Sequence, residues 1–238
     1  MEKKDIIQAI QNLREFSKKR NFKQSVDLII NLKGLDVKKQ GNSIDIFTIL
    51  PHARKKKLRV CALVGQELAQ SAKIFDKVVV QEEFNKYQAN PKLVTELTRN
   101  YDIFVAQANL MGPIATTFGR TLGPKGMMPN PRSGAVVPPE ANLEVLFQRL
   151  QKTVRLQTKK EPSVKAPIGS EDMEDEELAE NVLSAYNNLV HALPQEAHNI
   201  KNVELKTTMG PAIKIGESKE HIQERLKPKE KPVKTKKK

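Results

Sequence analysis

Apolar positions recur along residues 4–19 at helical spacing: Ile6, Ile7, Ile10, Leu13 and Phe16 fall on one side, with Lys and Arg opposite. This spacing predicts an amphipathic helix. The period then drops to two. Over 22–32, Val26, Leu28, Ile30 and Leu32 alternate with Ser25, Asp27, Ile29 and Asn31, which predicts a half-buried strand. Beyond a turn at Gly41-Asn42 the alternation resumes through Ile44, Ile46, Thr48 and Leu50, up to Pro51. No helix-sized stretch separates the two strands, so they are expected to pair as an antiparallel ribbon.

The pattern changes at Leu58. Residues 58–64 and 77–80 are short, nearly all-apolar strands, and 101–106 is a third. Helical segments at 66–75 and 91–99 separate them, the second opening on Pro91 at a favourable first-turn position. Short apolar strands alternating with helices predict a small parallel sheet covered on both faces. A Gly- and Pro-rich loop is expected over 122–139. A helix over 140–151 follows, with Leu143, Leu146, Phe147 and Leu150 on one side.

After Thr153 the alternating style returns through Val154, Leu156 and Thr158, and 163–168 reads as a paired strand. Ser170 is a candidate N-cap, followed by Glu171, Asp172, Glu174, Asp175, Glu176 and Glu177, where a helix start favours negative charge. Leu178, Val182, Ala185, Leu189 and Leu193 form the inner stripe of that helix, which Pro194 stops. Residues 199–208 and 212–215 are final strands around the turn Thr207-Thr208-Met209-Gly210-Pro211. The two ends of the chain thus share one style and the middle has another. The economical arrangement is α/β with two domains joined by a hinge: an α+β outer domain from residues 1–62 and 155–216, an inserted domain over 63–154, and a basic, disordered tail over 217–238.

Composition sharpens the functional reading. Among 238 residues, 41 Lys and Arg face 28 Asp and Glu, a formal net charge of +13. Residues 219–238 contribute +6 of it, so the remainder is basic as well. Such an excess opposes compaction by self-repulsion and points to a polyanionic partner. The single Cys61 lies in an apolar run, so it reads as an inert buried thiol in a reducing compartment. No stretch has the length of a signal or a membrane span, which suggests a soluble, cytoplasmic protein without a membrane partner.

His52, His191, His198 and His221 are scattered without metal-ligand spacing, and no nucleophile–base pair stands out, so neither a metal, a cofactor nor an enzyme activity is expected. Val64-Gly65-Gln66-Glu67 supplies one Gly where a nucleotide fingerprint would need several. The segment Gly119-Arg120-Thr121-Leu122-Gly123-Pro124-Lys125-Gly126-Met127-Met128-Pro129-Asn130-Pro131-Arg132-Ser133-Gly134 could form a rigid, basic, backbone-exposing loop, either structural or binding. It is not a phosphate-cradling loop, because no Gly-Lys-Ser/Thr ends it. The turn 207–211 is a tight turn on its Gly-Pro alone. Its two hydroxyls and bare Gly backbone could also approach RNA 2′-hydroxyls and phosphates, with Met209 packing on a base or sugar. Phe22, Gln24 and Ser25 open the first strand after Lys18-Lys19-Arg20, and Phe22 reads as core or as a stacking platform. The basic run at 54–59 is a solvated turn or a set of phosphate contacts.

The 119–134 segment, with Asn21-Phe22-Lys23-Gln24-Ser25-Val26-Asp27-Leu28, Leu50-Pro51-His52 and Thr208-Met209-Gly210-Pro211 in the same order, resembles the family of large-subunit ribosomal protein one. The Lys23-Gln24-Ser25 wording and the Leu32–Leu35 segment are closer to archaeal members. The resemblance covers residues 4–216. It implies an outer RNA-binding domain and an inserted Rossmann-like three-layer α/β/α domain that carries no nucleotide cofactor. It also implies RNA contacts at Phe22, Gln24 and Ser25 and at Thr207, Thr208, Met209, Gly210 and Pro211. Lys201 and Asn202 stand where bacterial members carry a hydroxyl before the last strand. The implied partners are the stalk region of large-subunit rRNA, exit-site tRNA and the protein's own mRNA, with the protein a monomer within the ribosome. Two departures stand out: Ala53 where the family often has Gly after Pro-His, and a tail beyond Lys219 longer than the family needs. A nonspecific RNA-binding protein or RNA chaperone is the alternative that charge alone would support.

Overall fold

The opening pattern resolves into helix α1 (Lys3–Phe16), with Ile6, Ala9, Ile10 and Leu13 buried, and strand β1 (Ser25–Leu32), whose residues alternate strictly between partly and fully buried. The computed structural model describes residues 1–35, 43–159 and 161–226. It divides into two units, Met1–Ser43 with Thr158–Lys238, and Ile44–Gln157. The first unit draws on both ends of the chain, and the first crossing between the units falls at Ser43/Ile44. The reason is pairing: β2 (Asp45–Ile49) and β3 (Val60–Val64) bond to strands of the inserted unit.

The inserted unit carries a parallel sheet in the order β4-β3-β5-β6, with β4 (Lys77–Val80), β5 (Ile103–Gln107) and β6 (Val136–Val137) beside β3. All of β3 is buried, as a strand covered on both faces must be. On one face Cys61 and Leu63 pack with α3 (Phe84–Ala89), α4 (Pro91–Asn100) and α5 (Met111–Lys125), through Phe84, Val94, Leu97, Ile114, Phe118 and Leu122. On the other, Val60, Ala62 and Val64 pack with α2 (Gln66–Ala69), the 3-10 turn after it and α6 (Leu143–Lys152). Each such fully buried aliphatic side chain stabilises the fold by about 1.5–3 kcal/mol. Burial also pushes the Cys61 thiol up to about 12, in keeping with an inert role.

Two expectations for this unit are corrected. The ribbon partner of β2 is β7 (Thr153–Gln157), from Asp45↔Gln157 to Ile49↔Thr153, and not the first strand. The turn expected at Gly41-Asn42 lies outside the described residues. The first part of the 119–134 segment is the end of α5, which runs through Gly119, Gly123 and Pro124 to Lys125, and the remainder is loop with a 3-10 turn at Pro131–Ser133. Ile114, Phe118 and Leu122 hold that helix down at four-residue spacing, outweighing the low propensity of its glycines.

The outer unit is an antiparallel sheet in the order β10-β9-β1-β8, with β8 (Ser163–Ser170), β9 (Ile200–Thr207) and β10 (Ala212–Lys214). Here β1 is a central strand whose partners lie far along the chain. Helices α1 and α7 (Asp175–Ala192) pack on each other and on the sheet. Arg14 ties them by donating from Nε to Asp175 Oδ1 at 2.8 Å and from Nη1 to the Glu171 carbonyl at 2.7 Å. Ser170 is the last residue of β8 and not an N-cap; the chain turns through Glu171–Glu174 before α7 starts.

The expected disordered tail is also corrected over part of its length. Residues Lys219–Leu226 form α8, which buries Ile222 completely, and residues 227–238 lie outside the described residues. Arg225 Nη2 donates to the Ala212 carbonyl at 2.7 Å and to Glu217 at 3.0 Å, and Lys219 pairs with Glu15 at 2.7 Å. The helix is thereby tied to β10 and to α1.

Candidate nucleic-acid interface

Antiparallel pairing of Val26 with Thr207 places the start of β1 beside the end of β9. Residues 22–25 and 207–211, far apart in sequence, therefore meet at one end of the outer sheet. Hydrogen bonds join them beyond the regular ladder. The Thr208 N–H donates to the Ser25 carbonyl at 3.1 Å, and Thr208 Oγ1 accepts the Ser25 N–H at 3.1 Å. The Met209 N–H donates to Gln24 Oε1 at 3.1 Å.

Gln24 is the centre of this corner. It is 1% exposed, and its Nε2 donates to the Lys18 carbonyl at 3.2 Å and to Glu171 Oε2 at 3.3 Å. Its own carbonyl accepts the Glu171 N–H at 3.0 Å. One amide side chain thus holds the exit from α1, the bend after β8 and the turn after β9. Thr207 is also buried and shares a 3.0 Å hydrogen bond with Ser17. Gly210 must lack a side chain: a Cβ there would collide with Thr207 Oγ1 and lie 2.6 Å from Ser17 Oγ. Nothing local in the sequence marks Ser17 or Glu171 for this role, since the partner of each lies more than a hundred positions away.

The expected contact set therefore divides in two. Gln24, Thr207 and Gly210 build the corner from inside. Phe22, Thr208 and Met209 face outward, with Phe22 51% and Met209 59% exposed. Ser25 and Pro211 are partly exposed. Two large apolar side chains standing in water at one sheet end offer surfaces on which bases can stack, and the adjoining hydroxyl and amide groups can meet a sugar–phosphate backbone.

Lys201 and Asn202 lie at the opposite end of β9. Five residues of extended chain separate Asn202 from Thr207, about 17 Å. Asn202 pairs with Asn31 and donates to Glu204 Oε1 at 2.8 Å, while its own Oδ1 is buried with no partner among the described residues. Lys201 is exposed, where the register with β1 shifts. The fold does not bring these two residues to the corner.

Charges near the corner are partly paired. Lys23 meets Asp172 at 2.7 Å, and this hydrogen bond and charge raise its pKa. Lys206 lies opposite Asp27 in the β1–β9 pairing; burial pushes the Asp27 carboxyl up, and the Lys206 charge opposes it. In the basic run at 54–59, Lys55, Lys56, Lys57 and Arg59 are exposed and Arg54 is partly buried. Arg54 is lowered by burial and donates to the Thr153 carbonyl at 3.5 Å, while Lys57 lies 3.8 Å from Asp76 and 5.7 Å from the Phe147 ring centre. Among the described residues no group of three or more His, Cys, Asp or Glu could hold a metal ion, and no helix is long and apolar enough to cross a membrane.

Comparison with known proteins supplies the family. The model of the ribosomal protein L1p/L10e family matches residues 13–211. The chain is 38% identical to the large ribosomal subunit protein uL1 of Thermococcus kodakarensis, over 90% of its own length and 98% of that protein. It is 40% identical to the protein of the same name from Nanoarchaeum equitans, over 88% and 98%. For that of Pyrococcus abyssi the identity is 37%, over 90% and 96%. With the match spanning both units and the whole corner at 22–25 and 207–211, the chain belongs to the ribosomal protein L1p/L10e family.

Proposed function

We propose that this protein is a cytoplasmic constituent of the large ribosomal subunit that binds a folded segment of large-subunit rRNA through the corner formed by residues 22–25 and 207–211. Membership of a family of structural ribosomal proteins makes it a constituent and not an enzyme. The observation that carries the reading is the corner itself, where exposed Phe22, Thr208 and Met209 stand on a scaffold fixed by Gln24. Stacking and 2′-hydroxyl contacts there supply selectivity, and the net charge of +13 supplies affinity that falls with salt.

In this reading the RNA is the stalk region near the tRNA exit site, and a hinge between the two units lets the stalk move as deacylated tRNA leaves. The protein also represses its own translation by binding a similar fold in its mRNA. Lys201 and Asn202, distant from the corner, take a secondary place and touch RNA only if it runs along β9.

The test is binding of the full-length protein to the stalk rRNA fragment and to a scrambled RNA of equal length across a salt series. A preference for the stalk fragment that persists at high salt supports the proposal. Equal affinities collapsing together would leave charge-driven, nonspecific RNA binding as the function.

A further inference from the structure

In the inserted unit the C-terminal ends of β3, β4 and β5 open onto a cleft of about 920 Å³. The chain leaves β3 into the α2 layer and leaves β5 into the α5 layer on the opposite face of the sheet. The cleft therefore lies where the connections diverge, the place at which open parallel sheets receive ligands. Its size falls in the range of small-molecule sites.

The lining restricts what could bind. Gln107, the last residue of β5, is 3% exposed and reaches the cleft. Its Oε1 accepts the Gly65 N–H at 2.8 Å, which leaves Nε2 as the end of the amide able to donate to a ligand in the cleft. Gly65 keeps this close approach possible, because a Cβ there would come 3.1 Å from Gln107 Oε1. A donor on the wall of the cleft suits an acceptor on the ligand, which a simple cation cannot supply.

At the rim stand Glu67 and Glu82, the latter accepting a hydrogen bond from Gln66, and no Lys or Arg lines the cleft. In a chain of net charge +13 this is a local reversal, and it disfavours phosphate groups. The carboxylates instead call for N–H donors. Leu110, Pro113 and Phe84 line the same cleft and give it a small apolar wall. One ligand must then be neutral, with an acceptor at depth and an amine nearer the mouth.

We propose that this cleft binds an unphosphorylated nucleoside whose base carries an exocyclic amine beside a ring acceptor. The acceptor takes the Gln107 amide proton, the amine donates to Glu82 or Glu67, and the sugar faces solvent. The site is separate from the RNA-binding corner and does not depend on it.

The full-length protein is titrated calorimetrically with adenosine, cytidine, uridine and adenosine 5′-monophosphate. Adenosine or cytidine should bind at least fivefold more tightly than uridine and at least tenfold more tightly than the monophosphate. Gln107→Glu keeps the acceptor for Gly65 and removes the Nε2 donor, so it should weaken nucleoside binding tenfold or more. Glu82→Gln, at the exposed rim, should weaken it several-fold with an unchanged melting temperature, and it guards against a folding defect in the first variant. Affinity of Glu82→Gln for the rRNA fragment should equal that of the parent protein. Absence of nucleoside binding at millimolar concentration, equal binding of the monophosphate, or parental affinity in both variants would overturn the proposal.

Discussion

The Gln24 side chain accepts the backbone N–H of Met209 at 3.1 Å, so an amide from the start of the chain fixes a turn near its end. Because Gln24 is buried, its loss leaves the part-buried Lys18 carbonyl, Glu171 carboxylate and Met209 N–H without the group that joins them. Gln24→Leu should destabilise the protein by about 2–3 kcal/mol, since several partners lose their hydrogen bonds at once. Urea denaturation checks the stability. The same variant should lose selectivity for the stalk fragment, because the turn carrying Met209 is no longer held.

Met209 and Phe22 give the opposite pattern. Both are exposed, so Met209→Ala and Phe22→Ala should each leave stability within about 0.5 kcal/mol of the parent. Each should nevertheless weaken RNA binding by about 1–3 kcal/mol if a base stacks there. Filter binding of the two variants at fixed salt separates this from a scaffold role; unchanged affinity in both would remove the corner from the RNA contact.

The strands that build this corner were legible in the sequence, though not the division of labour among its residues. Period-two alternation marked β1, and the Gly-Pro turn marked the end of β9. The roles within the corner were not legible: Gln24 and Thr207 are buried by pairing with segments over a hundred residues away, while Phe22, an ordinary core residue by type, is left in water. The error over the partner of β1 has the same cause. Adjacent alternating segments favour a local hairpin, but β1 lies between β8 and β9, whose contribution no local pattern announces. Helix α5 failed to register for another reason: Gly112, Gly119, Gly123 and Pro124 speak against a helix residue by residue, and only the apolar spacing of Ile114, Phe118 and Leu122 speaks for it.

Acid should loosen the inserted unit at the β2–β7 ribbon. Arg155 donates from Nε and Nη2 to the two carboxylate oxygens of Asp45 at 2.7 and 2.8 Å, and from Nη1 to the Gly126 carbonyl at 3.0 Å. The hydrogen bond from Arg155 holds the Asp45 carboxyl below its ordinary value of 3.8. A carboxyl depressed on folding stabilises above its unfolded pKa, and that contribution fades as pH falls through the folded value. Asp45→Asn should thus lower stability at neutral pH and show a shallower loss as pH falls below about 4. Thermal melts across that range measure both effects.

The last described helix should matter to the fold as well as to charge. Ile222→Ala opens a buried site under α8 and should cost about 2–4 kcal/mol, read from the melting temperature. Removing residues 227–238, which hold seven Lys and one Glu, should flatten the salt dependence of RNA binding.

The central place of β1 in the outer sheet also has a consequence for synthesis. Both its neighbours are made late: β8 begins at Ser163 and β9 ends at Thr207. The inserted unit, Ile44–Gln157, is continuous and can fold as soon as it emerges. At about ten residues per second, the first strand waits on the order of ten seconds or more for its partners. A nascent chain halted after Gln157 should therefore carry one protease-resistant unit behind an N-terminal segment that is still cleavable, and the corner of residues 22–25 and 207–211 should come into existence only as translation ends.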